Sequence, residues 1–383
     1  MSRAALSLVV AWSLQEAQQW LGEPRSADAA LAPATAGRLR EAGAESVCIV
    51  DTTVRDGRSL TWIDTPHAQG WLAAAKAARV PRGDETGDTQ RFARHLAAAM
   101  EKGFVAADAA ILASMADATG WSVDDPAMLP QLSWDEDPRC CAQPSRRGRR
   151  LDLYAIVDSA QRLLQVLDAG VKTVQLRIKM PEKPSPAWHE TLREEIQLSV
   201  AACNAGGAEL FVNDHWQLAA ELGAQGVHLG QEDLLALGAT GRSALQATGM
   251  ALGISSHSLW ELCRAATLDP RYVACGPVWP TLTKAMPWRA QGLDNLSWWC
   301  RMAPAPVVAI GGILNAAQVE QAARCGADGI CIVRGLGERP RDVVPALQAA
   351  MEAGRAAAGT QRSPGWPHPS LTLARGVTGQ ASP

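Results

Sequence analysis

VVAIGGILNAAQVEQAARCGADGICIV, residues 307–333, reads as one complete strand–helix–strand unit. The runs 307–313 and 329–333 are short and continuously apolar, and the segment between them, 315–325, has helical spacing. Continuous rather than alternating apolar runs belong to strands buried on both faces, as in a parallel sheet. Runs of the same kind occur at 151–158, 173–178, 209–214, 226–230, 251–255 and 272–278, making eight in all. Helical spacing follows most of them, as at 185–203, 256–267 and 340–354. Eight strand–helix units over about 151–354 predict an α/β fold of the closed (β/α)8 TIM-barrel type. An open doubly wound sheet is the competing architecture, but no GxGxxG follows the first strand.

The rest of the 383 residues divides around this barrel. Residues 1–125 are Ala-rich with α/β character. Residues 126–150, PAMLPQLSWDEDPRCCAQPSRRGRR, combine prolines with a switch from acidic to basic and read as a linker. Residues 355–383 have no apolar period and read as a disordered tail. No run approaches the ~20 apolar residues that span a bilayer, and no secretory signal opens the chain, which predicts a cytoplasmic protein with no membrane partner. The net charge of −3 argues against a nucleic-acid partner but leaves room for a local cationic pocket. The nine cysteines fit no metal-ligand spacing and read as reduced thiols. Self-association into a homo-oligomer stays open.

In such a barrel, function belongs to the carboxyl ends of the strands and the loops after them. The second strand ends in Gln175, Arg177 and Lys179, alternating with Leu176 and Ile178, so the three polar side chains share one side. Two cations pointing into a barrel are costly unless an anion meets them, although a polar strand edge facing solvent would look the same. The third strand ends in Asn213-Asp214, and Gln231-Glu232-Asp233 follow the fourth. With neighbouring strands ~4.8 Å apart, Asp214 and Asp233 can share Mg2+, which takes few carboxylates and keeps waters for a phosphate to displace. Each Asp could equally cap the next helix. Ser255, Ser256 and His257 follow the fifth strand, where a serine can cap and a histidine can pack. Gly311-Gly312 after the seventh strand and Val333-Arg334-Gly335 after the eighth occupy the usual phosphate site of the fold. The loop after the sixth strand offers Thr281, Thr283 and Lys284. The inventory suits two phosphorylated compounds and a departing diphosphate more than proton transfer.

QLRIK (175–179), VND (212–214), HLGQED (228–233), GIS (253–255), GPVWPTLTK (276–284) and AIGGI (309–313) resemble thiamine phosphate synthase over essentially all of 151–337. The resemblance implies a transferase of thiamine biosynthesis that joins 4-amino-2-methyl-5-hydroxymethylpyrimidine diphosphate to 4-methyl-5-hydroxyethylthiazole phosphate. It implies that Gln175, Leu176, Arg177, Ile178, Lys179, Asn213, Ser255 and Lys284 hold the pyrimidine diphosphate. Among these, Arg177, Lys179, Ser255 and Lys284 act in catalysis. It further implies that Asp214 and Asp233 hold Mg2+, and that Thr281, Leu282, Thr283, Gly312, Val333 and Arg334 hold the thiazole phosphate. Arg334 stands where the family usually has Ser. Thiazole tautomerase, a paralogue on the same barrel, typically lacks the full diphosphate and Mg2+ set. A non-catalytic regulator of the pathway would not need that set.

LSLVVAWSLQEAQQWLG, LREAGAESVCIVDT, WIDTPHAQGWL and GDETGDTQRFARHLAAAMEKGFVAADAAILA resemble part of hydroxymethylpyrimidine phosphate kinase, of the ribokinase-like fold. The kinase's phosphate loop corresponds here to Glu85-Thr86-Gly87-Asp88, and Glu85 replaces its first glycine. A carboxylate there would repel a phosphate, and its Cβ would block close backbone approach. This implies a degenerate kinase-like α/β domain serving as a packing or oligomerisation module. A working kinase completed by another chain is the competing reading.

Overall fold

A computed structural model describes residues 8–55, 57–75, 85–116, 120–137, 150–280, 287–358 and 365–371. The first five strands are β1 (Val9–Ser13), β2 (Ser46–Arg55), β3 (Arg58–Asp64), β4 (Gln69–Ala75) and β5 (Gln131–Leu132), and they form one sheet in that spatial order. β1 and β2 are parallel and the other pairings antiparallel. Alternation along β2 sends Val47 and Ile49 to one face, where Leu14, Ala17, Ala36 and Leu39 of helices Leu14–Leu21 and Ala32–Glu41 cover them. Cys48 goes to the other face, with Leu96 of helix Glu85–Glu101 and Ile111 of helix Ala106–Ser114. The residues expected as a phosphate loop form the first turn of helix Glu85–Glu101, where Asp88 pairs with Arg91 at 2.6 Å.

The second unit is a closed barrel of eight parallel strands. These are β6 (Asp152–Val157), β7 (Thr173–Leu176), β8 (Glu209–Asn213), β9 (Gly226–Leu229), β10 (Ala251–Ser256), β11 (Tyr272–Cys275), β12 (Val307–Ala309) and β13 (Gly329–Ile332). Seven lie within the apolar runs read from the sequence, and β10 overruns its run, 251–255, by one residue. Pairing of β9 with β10, with Gly226 beside Ala251 and His228 beside Gly253, completes the ring. The barrel is filled by pairing large residues with small ones on neighbouring strands. A Cβ on Gly226 would stand 2.7 Å from the Phe211 ring, and one on Gly253 would stand 2.3 Å from Tyr272. All seven described cysteines are free and buried, and no described helix is long and apolar enough to cross a membrane.

Two sequence expectations need correction. Of the expected linker 126–150, Gln131–Leu132 forms β5 and pairs with β4, and Leu129 and Leu132 are buried, so this part packs with the first sheet; residues 138–149 lie outside the described residues. The described tail residues 365–371 are packed, not disordered. Trp366 meets Trp121 edge-on at 4.7 Å, Asn295 Oδ1 accepts from the His368 amide at 2.5 Å, and Arg289 N donates to Ser370 O at 2.8 Å. Aromatic and hydrogen-bond partners far away in the chain order what local composition marks as irregular.

The two units share a core. Helix Ala106–Ser114 is buried from Ala106 to Ala113, as expected of a helix enclosed by a sheet on one side and a barrel on the other. Against it lies barrel helix Leu259–Ala265, all seven of whose residues are buried. Removing Leu259 and Trp260 from water stabilises the contact by roughly 1.5–3 kcal/mol per side chain. Polar groups complete it: Trp134 Nε1 donates to Thr267 Oγ1 (2.9 Å), Arg264 Nη2 to Gln69 O (2.8 Å) and Trp298 Nε1 to Val123 O (2.8 Å). The Trp134 ring also meets both Arg242 and Arg264, with guanidinium carbons 5.3 and 5.5 Å from its centroid. Asp108 is enclosed at this junction, and burial pushes its carboxyl up to about 7 against the pull of amide hydrogen bonds from Trp260 and Leu259. A raised carboxyl favours the folded state while protonated. That contribution is complete below about pH 4 and is lost as pH rises through about 7. Asp108→Asn, which stays neutral, should flatten the decline in urea midpoint expected of the parent chain between about pH 4 and 7.

Candidate active site

The polar interior of the barrel is a chain of hydrogen bonds rising toward its mouth. Gln175 Nε2 donates to Tyr154 Oη at 3.1 Å, and Tyr154 Oη lies 2.7 Å from Tyr272 Oη. Tyr272 Oη lies 2.8 Å from His228 Nδ1, and His228 Nε2 lies 2.9 Å from Ser255 Oγ. The His228 and Tyr272 rings stack 5.6 Å apart at 14°. Register explains the meeting: Gly253 lies beside both His228 and Tyr272, and its missing side chain leaves room for the tyrosine. Burial, helped by the Arg177 charge, pushes His228 down to about 3. The imidazole is therefore neutral near pH 7, donating through one nitrogen and accepting through the other.

Above this network lie the charged groups. Arg177 is half-buried, Lys179 is exposed, and no described carboxylate comes within ion-pair distance of either. The Arg177 amide still donates to Val157 O at 2.8 Å, so strand pairing continues to the point where its side chain departs. His215 Nε2 lies 3.1 Å from Ile178 O and ties this end of β7 to the turn after β8. Leu176 points the other way, into the layer between strands and helices, and Ile178 packs against that layer. Any contact of these two with substrate would be through their backbone. Asn213 is buried beside His228 and hydrogen-bonds the Asp214 carboxylate.

Asp214 turns out of β8 with φ +66°, its amide donating to His228 O at 3.1 Å. It caps no helix, because the next one, Trp216–Glu221, has His215 as its N-cap. Asp233 does serve its helix, Gln231–Ala236, by accepting from Gly230 N at 3.0 Å. Loss of hydration at the mouth raises the Asp214 carboxyl above its usual range, and the neighbouring Asp233 charge raises it further. Arg177 and His215 pull the other way. An Asp214 carboxyl that feels the negative charge of Asp233 close by belongs to a donor set that suits a hard divalent cation. Among the described residues no group of three or more His, Cys, Asp or Glu is placed to hold a metal. A pair completed by water and substrate oxygens would not form such a group.

On the opposite rim, pairing of β11 with β12 runs on into their loops. Val278 N donates to Ile310 O (2.8 Å) and Trp279 N to Gly311 O (3.0 Å). Gln291 N and Gly292 N return to Pro277 O and Val278 O at 2.8 and 2.9 Å, so the excursion between is anchored at both ends. Thr281, Leu282, Thr283 and Lys284 lie within that excursion, outside the described residues. Gly312 has φ +73°, and a Cβ there would stand 2.6 Å from Trp279 Cβ and 2.7 Å from Trp279 O. Only glycine lets the two loops lie this close. Val333 is 40 % exposed, and Arg334 opens a short 3-10 turn, Arg334–Leu336, with its side chain exposed. His257 packs rather than facing the mouth: Nδ1 lies 3.0 Å from Glu261 Oε2, and the ring stacks on Trp288 at 5.3 Å.

Sequence reasoning passed over Tyr154, Tyr272 and His228. The two-residue alternation that singled out Gln175 would have found His228, two residues before Gly230 in HLGQED.

The thiamine monophosphate synthase family model matches residues 153–336. The thiamine-phosphate synthase of Rhizobium etli is 44 % identical over 193 residues, 50 % of this chain and 90 % of that protein. That of Neisseria meningitidis serogroup A is 44 % identical over 204 residues, 52 % of this chain and 94 % of that protein. A solved thiamine phosphate pyrophosphorylase from Pyrococcus furiosus aligns with 54 % of this chain and 98 % of its own, at 27 % identity and a TM-score of 0.45. The family match begins at residue 153, so the kinase resemblance of residues 1–125 gains nothing from it. Through its barrel, which spans nearly the whole length of these relatives at 44 % identity, the chain belongs to the thiamine monophosphate synthase family.

Proposed function

We propose that the mouth of this barrel joins 4-amino-2-methyl-5-hydroxymethylpyrimidine diphosphate to 4-methyl-5-hydroxyethylthiazole phosphate, yielding thiamine phosphate and pyrophosphate. The observation that carries this reading is the 44 % identity to thiamine-phosphate synthases across at least nine-tenths of their length. The site chemistry agrees with it. Arg177 and Lys179 have no carboxylate partner among the described residues, and a substrate diphosphate would supply the missing anion.

The carbon–oxygen bond between the pyrimidine methylene and the diphosphate breaks, and its electron pair leaves with pyrophosphate. The 4-amino group stabilises the methylene cation through the ring, and the thiazole nitrogen supplies the pair for the new carbon–nitrogen bond. Arg177, Lys179 and Lys284 offset the charge growing on the leaving group. Asn213 and Ser255 orient the pyrimidine above the hydroxyl network. The neutral His228 keeps positive charge out of the floor beneath a developing cation. Gly312 and the start of the Val333-Arg334 turn offer backbone donors to the thiazole phosphate, with Thr281–Thr283 opposite them. Asp214 and Asp233 would hold Mg2+, which when bound supplies further positive charge to the diphosphate. Holding both substrates in register supplies much of the rate, and exclusion of water protects the cation.

Residues 8–137 fit a packing module in this reading. Their helix Ala106–Ser114 and Trp134 are spent on covering the barrel helix Leu259–Ala265.

Incubating the full chain with both substrates and following pyrophosphate release and thiamine phosphate tests the assignment. Activity should vanish with a chelator and return with Mg2+; no product with Mg2+ present would refute the reaction. Asp214→Ala should lower kcat by about a hundredfold or more while the circular dichroism spectrum is retained. Tyr272→Phe leaves the buried Tyr154 hydroxyl and His228 Nδ1 short of a partner, and should cost about 1–3 kcal/mol in urea denaturation.

A further inference from the structure

Barrel helices normally keep one face in water, and in helix Ala316–Arg324 only Val319, Ala322 and Ala323 are buried. Helix Leu259–Ala265 has no exposed face, and its cover comes from the N-terminal sheet unit. It also starts close to the chemistry, because only Ser256, His257 and Ser258 separate Ser255 from its first residue.

The first turn of any helix has backbone N–H groups without partners inside the helix. Here they are shared between two sources. Ser258 Oγ accepts from Glu261 N at 3.3 Å. Asp108 Oδ1, from the other unit and 151 residues away in sequence, accepts from Leu259 N at 2.9 Å and Trp260 N at 3.2 Å. Asp108 is 2 % exposed, and its second oxygen faces Ser370 Oγ of the tail at 3.5 Å. No other charged residue occurs in helix Ala106–Ser114, whose sequence is AADAAILAS. A carboxylate buried on so apolar a helix is stable only because those amides meet it.

The three-residue link is held as firmly as its ends. His257 N donates to Glu261 Oε2 at 2.6 Å, and Gln291 Nε2 donates to His257 O at 2.7 Å. A shift in the first turn of the helix therefore passes to Ser255 with little slack to absorb it.

We propose that Asp108 is a positioning residue for the synthase reaction: by holding the first turn of helix Leu259–Ala265, it sets where β10 presents Ser255 to the pyrimidine diphosphate. The inference rests on the synthase reading and gives the N-terminal unit a part in it. Asp108 touches no substrate and acts through the link from Ser258 to Ser255. Its loss should weaken one substrate more than the other, since Ser255 serves the pyrimidine side.

The test is steady-state kinetics on the full chain with each substrate varied in turn, for the parent, Asp108→Ala, Asp108→Asn and the control Asp135→Asn. Asp135 belongs to the same junction, paired with Arg242 at 2.9 Å, but it holds no part of the helix start. Asp108→Ala should raise KM for the pyrimidine diphosphate about tenfold, the effect of one lost contact at a misplaced group. KM for the thiazole phosphate should stay within about twofold, as should both constants in Asp135→Asn. Asp108→Asn keeps an acceptor oxygen and should rescue most of the loss, leaving KM for the diphosphate raised about threefold. If Asp108→Ala does not fold, Asp108→Asn alone decides. A fall in kcat with both KM values unchanged would mean that Asp108 only supports the fold, and would overturn the inference. Absence of product from the parent chain would instead remove the synthase reading, and this inference with it.

Discussion

A single buried hydroxyl, that of Tyr272, links the filling of the barrel to its mouth. It lies 2.7 Å from Tyr154 and 2.8 Å from His228, and through the imidazole it reaches Ser255. Polar groups so far from water must find partners in the protein, and each partner here constrains the next. The tyrosine needs room, which only Gly253 on the adjoining strand provides. The histidine must be neutral to donate on one side and accept on the other. The serine, at the end of this chain, is fixed before any substrate arrives. Preorganisation at the rim thus comes from hydrogen-bond accounting at the centre.

The eight strands were legible because burial on both faces leaves a mark that survives without partners, a short run of apolar residues with polar ends. Arg177, Lys179, Asp214 and Asp233 were legible because strand alternation and strand ends are local properties. Tyr154 and Tyr272 were not, because each sits in an apolar run where a tyrosine reads as bulk. Its meaning depends on register between strands 118 residues apart. The same limit explains the misread linker and tail. Prolines and mixed charge near Leu132 describe its neighbours in sequence, whereas its burial is decided by pairing with Leu72. Ser370 and Trp366 are ordered by Asp108 and Trp121, which no window of local composition contains.

Between the two units, charged side chains serve as spacers and clamps more than as surface. Arg264 is 3 % exposed, and burial pushes it down to about 10, below its ordinary range, yet it gains a backbone acceptor in Gln69 and an aromatic face in Trp134. Arg242 also lies over that ring and pairs with Asp135. Such a boundary is specific in a way a purely apolar one is not, since the partners fit in one arrangement only.

The placement of Asp108 also orders events in time. A ribosome delivers the first sheet unit well before residues 259 and 370 exist, so helix Ala106–Ser114 is made before the amides and the hydroxyl that meet its carboxyl group. The groups that complete the N-terminal unit are thus supplied by the barrel helix and by Ser370, near the end of the described chain.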